Sequence, residues 1–169
     1  MKIIEAMKRI KHLNEKAADL RTKVAAHCVN LDFETPVYPD QESQVREWLQ
    51  SHSDTIQEIA RLRLAIQKTN VATNVTIELG GRQATKTIAE WIYRRKDLAK
   101  TDLALWQGIG DRNLKEGMMQ SPSGQPMSVK IRRYYDPKER DQKVDLYRQE
   151  PSIVDSTLEV VNAVTEILE

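Results

Sequence analysis

Apolar side chains recur at steps of three and four from the start of the chain: Ile3, Met7, Ile10, Leu13, Ala17, Leu20, Val24 and Cys28. That spacing paints one stripe on an α-helix, while Lys8, Lys11, Glu15, Asp19 and Lys23 fall mostly off it and solvate the other side. The two prolines of "VNLDFETPVYPD" end the pattern and predict a loop near 29–40. Asp40 is placed to cap a second helix, with Glu42 favourable at the positive end of its dipole. The stripe of that helix is Val45, Leu49, His52, Ile56, Ile59, Leu62, Ile66 and Asn70. Two helices of similar length joined by a short loop predict a long antiparallel hairpin.

At Asn74 the period changes. Val75, Ile77 and Leu79 alternate with polar residues and Gly80-Gly81 offers a tight turn, which predicts a β hairpin near 74–85 with strands near 75–79 and 82–85. Thr87 and Glu90 have capping-box spacing, so a third helix follows, carrying Ile88, Ile92, Arg95, Ala99, Asp102, Trp106 and Ile109 on one side. "SPSGQP" predicts a second loop near 119–127. Beyond it, Met127, Val129, Ile131, Arg133 and Tyr135 alternate with Lys130, Arg132 and Tyr134, which predicts a strand over 127–135 that joins the hairpin in a small antiparallel sheet. Asp136-Pro137-Lys138-Glu139 starts the last helix. Its heptad seam is Val144, Tyr147, Pro151, Val154, Leu158, Val161, Thr165 and Leu168. Pro151 lacks a backbone donor and crowds the preceding turn, which predicts a kink or break near Arg148 to Glu150. The expected fold is mainly α: one elongated domain over 1–169, with a helical hairpin, two further helical segments and a small β element.

Composition supports this reading. Charged residues make up 30% of the chain and aromatic ones 5%, with six Gly and six Pro, a balance suited to long helices with solvated faces. A net charge of +1 gives no field for binding duplex nucleic acid. Cys28 is the single cysteine, which excludes an intrachain disulfide and fits a reducing compartment. "MKIIEAMKRIKHLNEK" is charged throughout, unlike a signal peptide, and no run approaches the roughly 20 apolar residues of a membrane span. The expected location is the cytoplasm, or a virion if a phage encodes the chain, with no membrane partner.

Two helical stretches end on related patterns: Ile66, Asn70 and Thr73 match Leu158, Asn162 and Thr165. An Asn beside an apolar seam costs free energy unless another polar group answers it, and one such Asn can fix register or oligomer state. The chain resembles the septicolysin-like family of small helical bacterial and phage proteins. The resemblance rests on "RLRLAIQKTNVAT" (61–73), the Gly-Arg-x-x-Thr turn (81–85), "RRKDL" (94–98) and "VDSTLEVVNAVTEIL" (154–168). It implies a helical hairpin, a small β element and a long final helix in a self-associating protein. It implies no catalytic activity, and the pore formation suggested by the family's name finds no membrane-insertable stretch here.

Catalytic constellations are missing from the sequence. His12, His27 and His52 are scattered, adjacent His27 and Cys28 diverge by about 100° on a helix, and no phosphate loop or nucleophile motif occurs. No enzyme, metal site or cofactor is therefore expected, and Cys28 reads as a small seam residue. The remaining chemistry is basic and aromatic. Arg94 and Arg95 on the third helix, Lys130, Arg132 and Tyr134 on one face of the expected strand, and Lys138 and Arg140 beyond it would suit a phosphate with a stacked base. The sequence thus predicts a non-enzymatic protein acting by self-assembly, as a homo-oligomer or as a component of a larger particle such as a phage virion. Its partners would be itself or other structural proteins. The alternative is sequestration of a phosphate-bearing small molecule, such as a nucleotide signal, at the basic-aromatic residues, within one chain or between protomers.

Overall fold

The computed structural model describes residues 1–168. The chain is mainly helical with a small β element, in the order α1 (Ile3–His27), α2 (Gln41–Ala72), β1 (Asn74–Leu79), β2 (Arg82–Thr87), α3 (Ile88–Tyr93), a π turn (Arg94–Leu98), α4 (Ala99–Gly108), β3 (Gly117–Gln120), β4 (Pro126–Val129) and α5 (Pro137–Val164). Its residues fall into two compact units. One comprises Met1–Asn74, Thr87–Ala89 and the stretch from Leu158; the other comprises Val75–Lys86 and Glu90–Thr157.

In the first unit α1 and α2 pack on a core of Ala6, Leu13, Ile59 and Leu62, with Ile10, Ile66 and Ile167 against it. Gln41 at the start of α2 donates to the His27 carbonyl at the end of α1 (2.9 Å), and farther along Arg9 donates to Glu58 (3.1 Å). Asp40 caps α2 as its sequence position predicts, accepting from the Ser43 amide at 3.0 Å.

The buried face of α2 differs from the expected stripe by a rotation of the helix. It consists of Thr55, Ile59, Leu62, Ala65 and Thr69. Leu49 and Ile56 are exposed instead. The two threonines are tolerated because each hydroxyl is satisfied locally: Thr55 donates to the Ser51 carbonyl (2.6 Å) and Thr69 to that of Ala65 (2.8 Å). On α1, Ala6 is buried in place of the expected Met7, and Cys28 is an exposed C-cap rather than a seam residue.

The chain ends meet within this unit. The Ile3 amide donates to the Thr165 carbonyl and the Ile167 amide to that of Met1, both at 2.9 Å, forming a short antiparallel bridge. Thr69 finishes the arrangement, its hydroxyl accepting from the Leu168 amide at 2.8 Å.

In the second unit β1 and β2 form a hairpin through Gly80 and Gly81, both at positive φ (57° and 76°), the conformation of a two-residue turn of the primed type. Val75 and Ile77 point into the core, and Trp91, fully buried on α3, donates its indole N–H to the Val75 carbonyl at 2.9 Å.

The strand expected over 127–135 is corrected in both extent and partner. β4 stops at Val129 and pairs with β3, Met118 opposite Ser128 and Met119 opposite Met127, in a two-stranded sheet separate from β1–β2. Beyond Val129, side chains hold the backbone in place of a third strand. The Ile131 amide donates to the Glu116 carboxylate (3.0 Å), and Arg133 and Tyr135 both reach Asp111.

α5 runs through Pro151 as one helix, so of the kink or break expected near Arg148 to Glu150 the break does not occur. Val154 and Leu158 are buried as the seam predicts.

Replacing Thr69 by Val keeps the volume but leaves the Leu168 amide without its acceptor. The expected cost is about 1 kcal/mol, the usual net worth of such a bond, with faster hydrogen exchange at Leu168. Unchanged exchange at that amide would show that the hydroxyl does not hold the C-terminal segment.

Candidate functional site

The second unit holds an ion network built on one arginine. Glu150, on α5, is 2% exposed, a burial a carboxylate sustains only when it is paired and hydrogen-bonded. Arg94 meets it with a two-pronged contact, Nε to Oε1 at 2.7 Å and Nη2 to Oε2 at 2.6 Å. The third donor, Nη1, reaches Asp102 at 2.6 Å, and the guanidinium lies 5.6 Å from the ring centre of Tyr147. The contacts to Glu150, then Asp102, hold Arg94 charged beyond its ordinary range, while burial pushes the Tyr147 phenol up.

Local helix geometry makes this network possible. At 100° per residue, Arg94 and Asp102 would lie about 80° apart around a regular α-helix. The π turn between them, closed by the Ala99 amide donating to the Arg94 carbonyl, accommodates one extra residue. That restores an effective seven-residue spacing, and both side chains then face the same way. The same turn places Arg95 against Asp155. The register slip also explains why Trp91 is buried although the α-periodic stripe passes through Ile92.

A second cluster forms around Asp111. Arg133 grips its carboxylate at 2.8 and 2.6 Å, and the Tyr135 hydroxyl donates at 3.3 Å. The Arg133 hydrogen bonds, supported by its charge, Tyr135 and Arg140, hold the Asp111 carboxyl below the usual range. Arg140 itself lies 2.9 Å from Asp141.

The predicted basic-aromatic residues therefore divide. Arg94 and Arg95 are held by Glu150, Asp102 and Asp155, and Arg140 lies beside Asp141. Lys130, Arg132 and Lys138 are exposed, and Tyr134 is 89% exposed, but no strand gives them a common face. Glu150 and Asp111 stand on none of the sequence-derived stripes, while Asp102 and Tyr147 stand on theirs without a role in the predicted site. Glu150 carried a usable signal: Tyr147, Glu150, Val154 and Leu158 follow steps of three, four and four, so the glutamate fits the seam as well as Pro151 does.

A groove of about 660 Å³ runs along α5 beside the β1–β2 turn, lined by Leu79, Gly80, Arg82, Lys143, Leu146 and Gln149 among others. Its charges are of both signs. A Cβ added at Gly80 would come within 3.2 Å of Leu146 Cδ1, so the glycine serves both the turn and the close approach of the helix. Among the described residues, no group of three or more His, Cys, Asp or Glu side chains is arranged to hold a metal, and no helix is long and apolar enough to cross a membrane.

No protein-family model matches the chain, and no curated protein matches it. A search of solved structures finds a likeness to a crystal structure of a functionally unknown conserved protein from Corynebacterium diphtheriae. The two share 18% identity over 99% of each chain, with a TM-score of 0.57. That likeness speaks to the fold alone.

Arg94→Met should destabilise the protein by about 3–5 kcal/mol, because it strands a buried carboxylate. Adding Glu150→Leu should recover most of that loss in denaturant unfolding. If the double variant is no more stable than Arg94→Met alone, the cost does not come from the unpaired glutamate.

Proposed function

We propose that this chain is a non-enzymatic protein that acts by self-assembly, as a homo-oligomer or as a structural component of a larger particle, with α1 and α2 forming a long antiparallel hairpin as its main body. The observation that carries this reading is a second apolar face on α2. Leu49, Ile56, Leu64 and Val71 are 53%, 47%, 53% and 65% exposed. With Ala60 they fall within an arc of about 80° at 100° per residue, interrupted by Ser53 and Gln67 and roughly opposite the buried face. A helix that needed only its partner inside the chain would carry one apolar stripe, and this one carries two.

The order of residues along the second stripe suits a two-fold contact. Ile56 and Leu64 flank Ala60 at equal spacing, and Leu49 and Val71 do so farther out. Two copies of α2 crossing antiparallel at Ala60 would set Ile56 against Leu64 and Leu49 against Val71, with the small residue allowing close approach. The stripe is about 33 Å long and about 10 Å wide, or roughly 330 Å² per copy. A stable interface typically buries about 800 Å² per partner, so a lasting assembly needs further contacts.

The purified protein should appear in light scattering at micromolar concentration as a discrete species larger than one chain. Leu64→Glu should lower that mass while leaving the helical circular dichroism unchanged. A wild-type monomer at that concentration would exclude the reading.

A further inference from the structure

Two exposed apolar surfaces carry opposite charge. The first is the loop between α1 and α2, where Val29, Leu31, Phe33 and Val37 are 79%, 58%, 80% and 69% exposed. Asp32, Glu34 and Asp40 stand in this segment, and residues 29–41 contain no Lys or Arg; Glu42, the next acid, is paired with Arg46 at 2.6 Å. The second surrounds the β3–β4 hairpin, where Leu114, Met118, Met119, Met127 and Tyr134 are 61%, 68%, 47%, 46% and 89% exposed. Residues 111–138 contain six Lys and Arg against three acidic residues, and one of the six, Arg133, is held by Asp111.

Neither surface is a loose tail. In the loop, Asn30 donates to the Leu31 and Glu34 carbonyls (3.2 and 3.3 Å), and the Leu31 amide donates to the Glu34 carboxylate (2.8 Å). Gln41 accepts from the Val37 amide at 3.0 Å, and the rings of His27, Tyr38 and Trp48 stack edge-on or tilted at 5.3–5.6 Å beneath. The hairpin is set by its ladder, by the Glu116–Ile131 bond and by Arg133 on Asp111. Ordering of this kind lowers the entropy cost of binding, and it leaves large apolar side chains in water.

We propose that the acidic apolar loop of one copy docks on the basic, methionine-bearing hairpin of another. The contact is heterologous: the two faces differ, so each copy offers one of each and can engage two neighbours. Apolar contact supplies the affinity, and the opposed charges orient the encounter and disfavour loop-on-loop or hairpin-on-hairpin pairing. Met side chains suit the hairpin side because they adapt their shape to a protruding Phe33. This inference rests on the self-assembly reading and names a surface separate from the α2 stripe.

A mixing experiment tests it with full-length protein. Variant A carries Leu31→Ser and Phe33→Ser, and variant B carries Met118→Ser and Met119→Ser. All four positions are exposed, so thermal melts should match the wild type. Titrating A into B should release heat and raise the mass, whereas titrating either into itself should leave the mass at what the α2 stripe alone supports, because each lacks one face. Raising salt from low to high should weaken the mixed association several-fold. Asp32→Lys should weaken wild-type association at low salt, and mixing it with an Arg132→Glu chain should restore part of the loss. If the wild type self-associates but A and B do not bind each other, this surface is wrong while self-assembly stands. If the wild type is a monomer, both fall together. If A or B alone assembles as the wild type does, the contact does not involve the face it lacks.

Discussion

The second unit turns on a carboxylate that has no water to solvate it. Glu150 is almost fully buried on the seam of α5, between Tyr147 and Val154, and an ionised carboxylate there is tolerable only if charge and hydrogen bonds meet both its oxygens. Arg94 does this with two parallel donors, a geometry lysine cannot reproduce. The pairing fixes more than two side chains. It sets the register of α5 against the helix carrying Arg94, because a slip of one residue on either would leave a buried charge alone. It also accounts for the π turn, since only the extra residue lets the remaining guanidinium nitrogen reach Asp102. A buried ion pair is weak evidence for stability, because an apolar pair of similar volume often does as well, but it discriminates strongly among registers.

The first unit handles polarity differently. Its buried polar residues Thr55 and Thr69 each donate to the carbonyl one turn earlier, so they sit among apolar neighbours at little cost. Thr69 keeps acceptor capacity after donating, and the Leu168 amide uses it. Asn70 is less well served: its side-chain carbonyl oxygen is shielded from solvent without a partner among the described residues. Asn70 lies on α2, but the side chain that joins α2 to the C-terminal segment is that of its neighbour Thr69.

The order of the helical segments was legible, with α3, the π turn and α4 read as one helix, because three- and four-residue periodicity survives in any amphipathic helix, and the β1–β2 turn was legible because two consecutive glycines have few other uses. Rotation about the helix axis was not. Periodicity weights every apolar residue alike, so it chose Met7 over Ala6 and centred α2 on a stripe that included Leu49 and Ile56, although packing buried the smaller side chains and the threonines. The π turn defeats any fixed period, and with it went the burial of Trp91. The strand over 127–135 failed for another reason. Its alternation is real, but a strand needs a partner for its backbone, and the Glu116 carboxylate takes the Ile131 amide while Asp111 draws Arg133 and Tyr135 away. Of the basic residues proposed as a site, sequence could not distinguish Arg94, whose acids lie 8 and 56 positions along the chain, from Arg132, for which no ion pair forms among the described residues.

The same limit explains where the exposed apolar residues come from. A sequence stripe wider than one partner can cover reads as a generous core until the fold shows which half is used. On α2, the inner face mixes Ile59 and Leu62 with Thr55, Ala65 and Thr69, while Leu49, Ile56, Leu64 and Val71 stand on the outer one, where large apolar side chains gain nothing from burial inside a single chain. In the α1–α2 loop, hydrogen bonds among Asn30, Leu31 and Glu34 order the backbone around Val29 and Phe33, whose side chains stay exposed. Large apolar side chains kept rigid and wet carry a standing free-energy cost, about 25 cal/mol for each Å² left exposed, which burial against another surface relieves. The cost falls at several separate places and is shared between surfaces of opposite charge. One apolar patch alone would suit many partners, but a patch matched in charge elsewhere on the same chain narrows the candidates toward another copy.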